Sequence, residues 1–132
     1  MNGSKNGKGK EFYWNTGQLR FEGQYLNELR NGNGNEYYNN GKLKFEGEYL
    51  YGKRWNGKGY DIENNIIYEI KDGKGLIKEY NDWGKLIFEG EYLNGKRNGK
   101  GKEYFYGELD FEGEYLNGKK MEKEKNMNLM IL

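Results

Sequence analysis

Four near-identical hexapeptides, Phe21–Leu26, Phe45–Leu50, Phe88–Leu93 and Phe111–Leu116, each read Phe-Glu-Gly-(Glu/Gln)-Tyr-Leu. Short units repeated in this way do not bury an apolar face alone. They bury it against the neighbouring copies, so the chain is constrained to a stacked array before any chemistry is considered. A second motif, Asn-Gly-(Lys/Asn)-Gly, alternates with the first at Asn6–Gly9, Asn31–Gly34, Asn56–Gly59 and Asn98–Gly101, with a degenerate copy at Asp72–Gly75.

The first glycines of these copies, Gly7, Gly32, Gly57, Gly73 and Gly99, are 25, 25, 16 and 26 residues apart. The short interval marks a contracted unit at about residues 61–75. There Tyr68-Glu69-Ile70 stands in place of Phe-Glu-Gly, and the following Tyr-Leu-Asn-Gly-Lys-Arg segment is missing. A local irregularity of the stack is expected at that point. The remaining organisation is a flexible N-terminus over 1–5, a repeat array over 6–120 and a C-terminal tail or cap over 121–132.

Half of the 34% hydrophobic content is aromatic, and Ala, Val and Pro are absent. Lack of Ala and the frequent Gly disfavour helices, while Tyr, Phe, Trp and Ile favour strands. Disordered chains are depleted in aromatics, whereas here they recur in register. The expected fold class is all-β.

Phe88, Gly90 and Tyr92 alternate with Glu89, Glu91 and Leu93, so each Phe-Glu-Gly strand presents an aromatic face around a central glycine and a mainly acidic face. The glycine leaves room for a ring of the adjoining hairpin. Asn94-Gly95 and Asn117-Gly118 suit the positive φ angles of a tight turn, which Lys96-Arg97 and Lys119-Lys120 continue. The return strand is expected to begin at Gly-Lys-Gly, as at Gly99–Gly101, and a second set of turns at Thr16-Gly17, Asn40-Gly41, Trp83-Gly84 and Tyr106-Gly107 leads to the next copy. Which residues of the return strand face inward stays open.

The run from Phe88 to Tyr104, Phe-Glu-Gly-Glu-Tyr-Leu-Asn-Gly-Lys-Arg-Asn-Gly-Lys-Gly-Lys-Glu-Tyr, resembles the MORN repeat, whose pattern is aromatic-x-Gly-x-aromatic-x-x-Gly-x-x-x-Gly-x-Gly. The resemblance covers nearly all of Asn6–Lys120, and Asn40–Lys44 is similar to the variant form of the repeat. It implies an elongated, twisted, single-layer array of stacked antiparallel β-hairpins whose repeat core is Phe21, Gly23, Tyr25, Phe45, Gly47, Tyr49, Phe88, Gly90, Tyr92, Phe111, Gly113 and Tyr115. It also implies an attachment module, since family members act as scaffolds at membrane–cytoskeleton junctions, and phospholipid binding has been proposed for the repeat. Three features depart from the pattern: Tyr25, Tyr49, Tyr92 and Tyr115 stand where Trp is frequent, Asn27-Glu28 replaces a turn Asn-Gly, and one unit is contracted.

Catalytic chemistry lacks its residues. With no Cys and no His there is no thiolate and no imidazole, and the paired carboxylates Glu46/Glu48 and Glu89/Glu91 recur in equivalent surroundings opposite Lys-rich strands, as cross-strand charge pairs do. The Gly-x-Gly steps are followed by no Gly-Lys-Ser/Thr, so a phosphate-binding loop is not indicated. No enzymatic activity, cofactor or metal is expected. A net charge of +1 offers no general field for nucleic acid. No apolar run approaches the roughly 20 residues of a membrane span, and Met1–Lys10 has no signal-peptide core, so the cytoplasm is the expected compartment.

The basic turns Lys53-Arg54, Lys96-Arg97 and Lys119-Lys120 form the candidate functional surface, because equivalent turns of a stacked array fall on one edge. The expected function is a non-catalytic protein-interaction scaffold. The alternative is attachment of that edge to anionic, phosphoinositide-containing membrane at its cytoplasmic face. Aromatic-cage repeats that bind choline or glucan are disfavoured, since Trp14, Trp55 and Trp83 occupy non-equivalent positions. The apolar tail with Met121, Met127, Leu129, Met130, Ile131 and Leu132 either caps the last hairpin, as a strand-covering segment or short helix, or is frayed and free for self-association.

Overall fold

The computed structural model describes residues 5–123 and 129–131; most of the expected flexible N-terminus and part of the tail, Met127 and Leu132 included, lie outside the described residues. Twelve strands and no helix occupy the described chain: β1 (Gly7–Phe12), β2 (Leu19–Leu26), β3 (Leu29–Tyr37), β4 (Leu43–Leu50), β5 (Lys53–Tyr60), β6 (Ile66–Ile70), β7 (Gly75–Tyr80), β8 (Leu86–Leu93), β9 (Lys96–Phe105), β10 (Glu108–Leu116), β11 (Lys119–Lys123) and β12 (Leu129–Ile131). Each strand pairs antiparallel with its sequence neighbour, giving one sheet of β1 to β6 and a second of β7 to β12. The all-β expectation holds.

The ladder breaks between β6 and β7, inside the contracted unit, where a single bridge, Lys71↔Lys74, closes the turn at Asp72 and Gly73. Too few residues remain there to continue a full strand pair. The second sheet then leans on the first. Asp82, in the β7–β8 turn, lies 3.8 Å from Arg20 and 3.7 Å from Lys44, and its carbonyl accepts the Asn39 amide at 3.1 Å. Ile70 and Ile77, both 2% exposed, join the two sheets beside Tyr68 and Tyr92.

Asn94-Gly95 (φ 53° and 76°) and Asn117-Gly118 (φ 49° and 88°) are two-residue turns with both centres left-handed, and Asn27-Glu28 adopts the same form without a glycine (φ 49° and 71°). The turn consumes only those two residues. The return strands therefore start at Lys53 and Lys96 rather than at the Gly-x-Gly steps, and the basic residues expected in the turns are already in strands.

This shift gives the Asn of Asn-Gly-x-Gly another role. Its side-chain oxygen accepts an amide of the following hairpin's turn: Asn6 from Asn27 at 3.1 Å, Asn31 from Tyr51 at 2.9 Å, Asn56 from Asp72 at 2.9 Å and Asn98 from Asn117 at 2.9 Å. A backbone bond accompanies each, from Glu28 to Lys5, Gly52 to Arg30, Gly73 to Trp55 and Gly118 to Arg97, at 2.8–3.0 Å. Successive hairpins are thus clasped along one edge.

Glycines face one another across the strands, Gly9–Gly23–Gly34–Gly47–Gly57 in the first sheet and Gly90–Gly101–Gly113 in the second. A Cβ on Gly90 would meet the Lys100 carbonyl of β9 at 2.5 Å and Phe88 of its own strand at 2.9 Å, and not a ring of the adjoining hairpin. Gly101 is the glycine reached by the adjoining Tyr115, at 2.9 Å, together with Phe88 at 2.7 Å. The tail is not helical where described: β12 pairs with β11 through Met121↔Ile131, Glu122↔Met130 and Lys123↔Leu129.

Candidate functional site

The aromatic face is a zigzag of edge-on rings. Phe21 meets Tyr25 at 5.6 Å and Tyr49 at 5.3 Å, Phe45 meets Tyr49 at 5.6 Å, and in the second sheet Phe88 meets Tyr115 at 5.4 Å. Such contacts add to the burial of each ring. Phe21, Phe45 and Phe88 are fully buried, as are nearly all of Tyr25, Tyr49 and Tyr115, while Tyr92 and Phe111 are partly covered.

Within this face an ionic cluster recurs four times. Tyr25 donates to Glu11 at 2.5 Å and Arg30 reaches the same carboxylate twice at 3.0 Å. Tyr49 donates to Glu36 at 2.5 Å, with Arg54 bidentate at 2.7 and 2.8 Å. Tyr92 donates to Glu79, held by Arg97 at 3.0 and 3.1 Å. Tyr115 donates to Glu103, held by Lys120 at 3.1 Å. Each cation also lies over the ring of its own unit, Arg30 and Arg97 at 4.0 Å from the centroids of Phe21 and Phe88, Lys120 at 4.8 Å from Phe111 and Arg54 at 5.0 Å from Phe45. Planar guanidinium serves both contacts at once.

The electrostatics follow from this pairing. Burial alone would raise the Glu36 carboxyl, but Arg54, Arg30 and the Tyr49 hydroxyl outweigh it and hold the group well below the usual carboxylate range. The Tyr25 phenol is pushed up to about 12, first by burial and then by its bond to Glu11; Tyr68 likewise reaches about 12, mainly by burial. Burial lowers the Lys44 ammonium, against Glu36 and Asp82.

The six expected edge cations therefore divide. Arg54, Arg97 and Lys120 point inward to carboxylates, whereas Lys53, Lys96 and Lys119 stay on the turn edge, the stem of Lys53 beside Gly95 and that of Lys96 beside Gly118. The edge is a row of three ammoniums, not three pairs. Glu11, Glu36 and Glu103, overlooked in the sequence, stand two residues after the second glycine of their motif, and this recurrence was the signal for them. The placement of Arg20 and Lys44 had no such signal, because both sit at the register shifts of β2 and β4, where an extra residue turns the side chain to the other face.

The opposite face is polar. Glu46 stands across from Lys58 and Glu89 from both Lys78 and Lys102, so one carboxylate of each pair meets lysine across the strands, whereas Glu48 faces Asn33 and Asn56 and Glu91 faces Leu76. Between the side-chain rows the glycines leave two open grooves, of about 910 Å³ over β1 to β3 and about 730 Å³ over β7 to β10. Among the described residues no helix is long and apolar enough to cross a membrane. Neither a family model nor a curated protein matches the chain.

Proposed function

We propose that the protein is a non-catalytic repeat array of MORN type, its hairpins stacked as a single layer within each sheet, and that it serves as a cytoplasmic protein-interaction scaffold without a cofactor. One observation carries this reading. Most charged side chains near the core fall in four copies of one Tyr–Glu–cation cluster, and Lys44 pairs with Asp82 between the sheets, so they build the stack instead of forming one distinct reactive site. The surface left for partners is the regular polar face and its edge.

The membrane alternative rests on the lysine edge. Each basic residue near an anionic surface adds about 1 kcal/mol, and recognition of anionic lipid takes clusters of roughly 4–8. Three lysines, Lys53 among them half-buried, fall short of that number, which favours protein over lipid. Flotation with phosphoinositide-containing liposomes at low and high salt tests the choice. The expected result is weak flotation that Lys53→Glu/Lys96→Glu/Lys119→Glu hardly changes. Tight, salt-sensitive flotation lost in that triple variant would overturn the scaffold reading in favour of membrane attachment.

A further inference from the structure

The second sheet's groove has an ordered charge pattern that the first sheet's lacks. Its floor is the glycine track Gly90–Gly101–Gly113, and each floor glycine is flanked on its own strand by two side chains of one sign. Glu89 and Glu91 flank Gly90, Lys100 and Lys102 flank Gly101, and Glu112 and Glu114 flank Gly113. Residues two apart on a strand point to the same face about 7 Å apart, so each pair is a gate wide enough for one ion between its arms. Three gates follow in succession, acidic, basic and acidic. At the β7 end the groove meets Ile67, the 75% exposed Leu76 and Lys78, which stands across from Glu89.

Internal contacts engage these groups only in part. Lys102 and Glu112 are 3.9 Å apart, Glu89 accepts the Tyr104 hydroxyl at 2.6 Å, and Glu91 accepts the Lys100 amide at 2.6 Å, which leaves oxygens on each acidic gate open to solvent.

The geometry points to an occupant: an extended peptide segment that crosses the strands with an apolar side chain at Leu76, a basic residue at each acidic gate and an acidic residue between them. Neighbouring strands are about 4.8 Å apart, so the two acidic gates are about 9.6 Å apart. Three residues of polyproline II rise about 9.3 Å, which places basic residues at positions i and i+3 in step with the gates. An α-helix, about 10 Å or more in diameter, does not enter a groove of this width. The proposal deepens the protein-interaction reading, on which it rests, by giving the chemistry of the partner.

The test uses the full chain and a fluorescein-labelled, end-blocked peptide, Leu-Pro-Lys-Pro-Glu-Lys, in anisotropy titrations at low salt. Saturable binding is expected, weakened by high salt and by about two- to thirtyfold in Glu89→Gln/Glu112→Gln, since two exposed charge pairs are lost. The Glu89→Asp/Glu112→Asp variant should restore most of it, and near-ultraviolet circular dichroism should show all three proteins folded alike. No saturable binding, equal binding of a peptide of the same composition with adjacent lysines, tighter binding of an acidic counterpart, or indifference to the Gln variant would each overturn the groove proposal. Parallel flotation with acidic liposomes separates the two ideas. Failure of the peptide without flotation removes the groove proposal alone, whereas failure of the peptide with tight flotation removes the scaffold reading as well.

Discussion

Glu36 in the first sheet and Glu103 in the second hold the same place in the repeat, two residues beyond the second glycine, yet their surroundings differ. The side chain of Glu36 is 13% exposed, accepts a bidentate Arg54 and has Arg30 at 3.6 Å from the other side. Glu103 is 20% exposed, with Lys120 at 3.1 Å and Arg97 at 3.4 Å through one nitrogen. The first sheet is also covered by the β7–β8 turn of the second, whereas Phe105, Tyr106 and Leu109 of the second stand more than half exposed. Similar units thus become unequal through the cation each carries and through what lies above them, and the attraction within the cluster is strongest where water is excluded.

The sharpest way to break this comparison is to remove the cation from each cluster. Arg54→Ala should cost about 3–5 kcal/mol, because it leaves the Glu36 carboxylate buried without its main partner. Lys120→Ala, at a more solvated carboxylate, should cost about 1 kcal/mol or less. Equal shifts of the urea midpoint would show that burial does not distinguish the sheets.

Acid should reveal the same contrast. A carboxyl held below its unfolded value contributes stability that is present above that value, about 4.3 for Glu, and lost as pH falls. The unfolding midpoint should therefore drop on acidification below that value. Glu36→Gln, less stable at neutral pH, should show a visibly flatter acid profile. An unchanged profile in the variant would assign the acid sensitivity to other carboxylates, Glu11 and Glu103 being lowered too.

Glycines at one repeat position sharpen the comparison further. A Cβ on Gly23 would meet the Asn33 carbonyl and the Gly34 Cα at 2.6 Å, both backbone, whereas on Gly113 it would meet the Phe111 ring at 2.8 Å and nothing else nearer than that ring's next atoms. A ring at the thinner end of the sheet can move and backbone cannot. Gly23→Ala should cost about 1–3 kcal/mol and Gly113→Ala clearly less, read by thermal unfolding.

The smallest effect is expected where the sheets touch. Asp82→Asn removes two partly solvated ion pairs, to Arg20 and Lys44, at roughly 0.5–1 kcal/mol. Faster hydrogen exchange at the Asn39 amide, without faster exchange in β9 and β10, would mark this as a loss of contact between sheets and not of either sheet.

Strands, turns and the aromatic face were legible because they depend on period-2 alternation and on left-handed turn residues, both local. The return strands begin three residues before the expected Gly-x-Gly step in β9 and four before it in β5, since Lys96-Arg97 reads as a continuation of the turn, and Asn56 and Asn98 are strand residues whose side chains serve the next hairpin. The inward turn of Arg54 and Arg97 was hidden for the same reason: once the strand starts at Lys53 or Lys96, alternation sends the arginine to the aromatic face. Asp82 reaching Lys44 depends on how the contracted unit bends the chain, which no local pattern encodes.

The asparagine clasp has a genetic corollary. Each repeat outside the contracted region carries both halves of its fastening, an acceptor for the turn that follows and a turn that engages the acceptor before it, whereas the Asn94-Gly95 turn is held by the Gly73 carbonyl. An in-frame duplication of one 25-residue period, such as that from Gly7 to Gly32, would deliver a copy whose fastenings match on both sides. A lineage could lengthen such a chain by recombination without inventing a new contact, and the 16-residue unit is the one segment that could not be copied so freely.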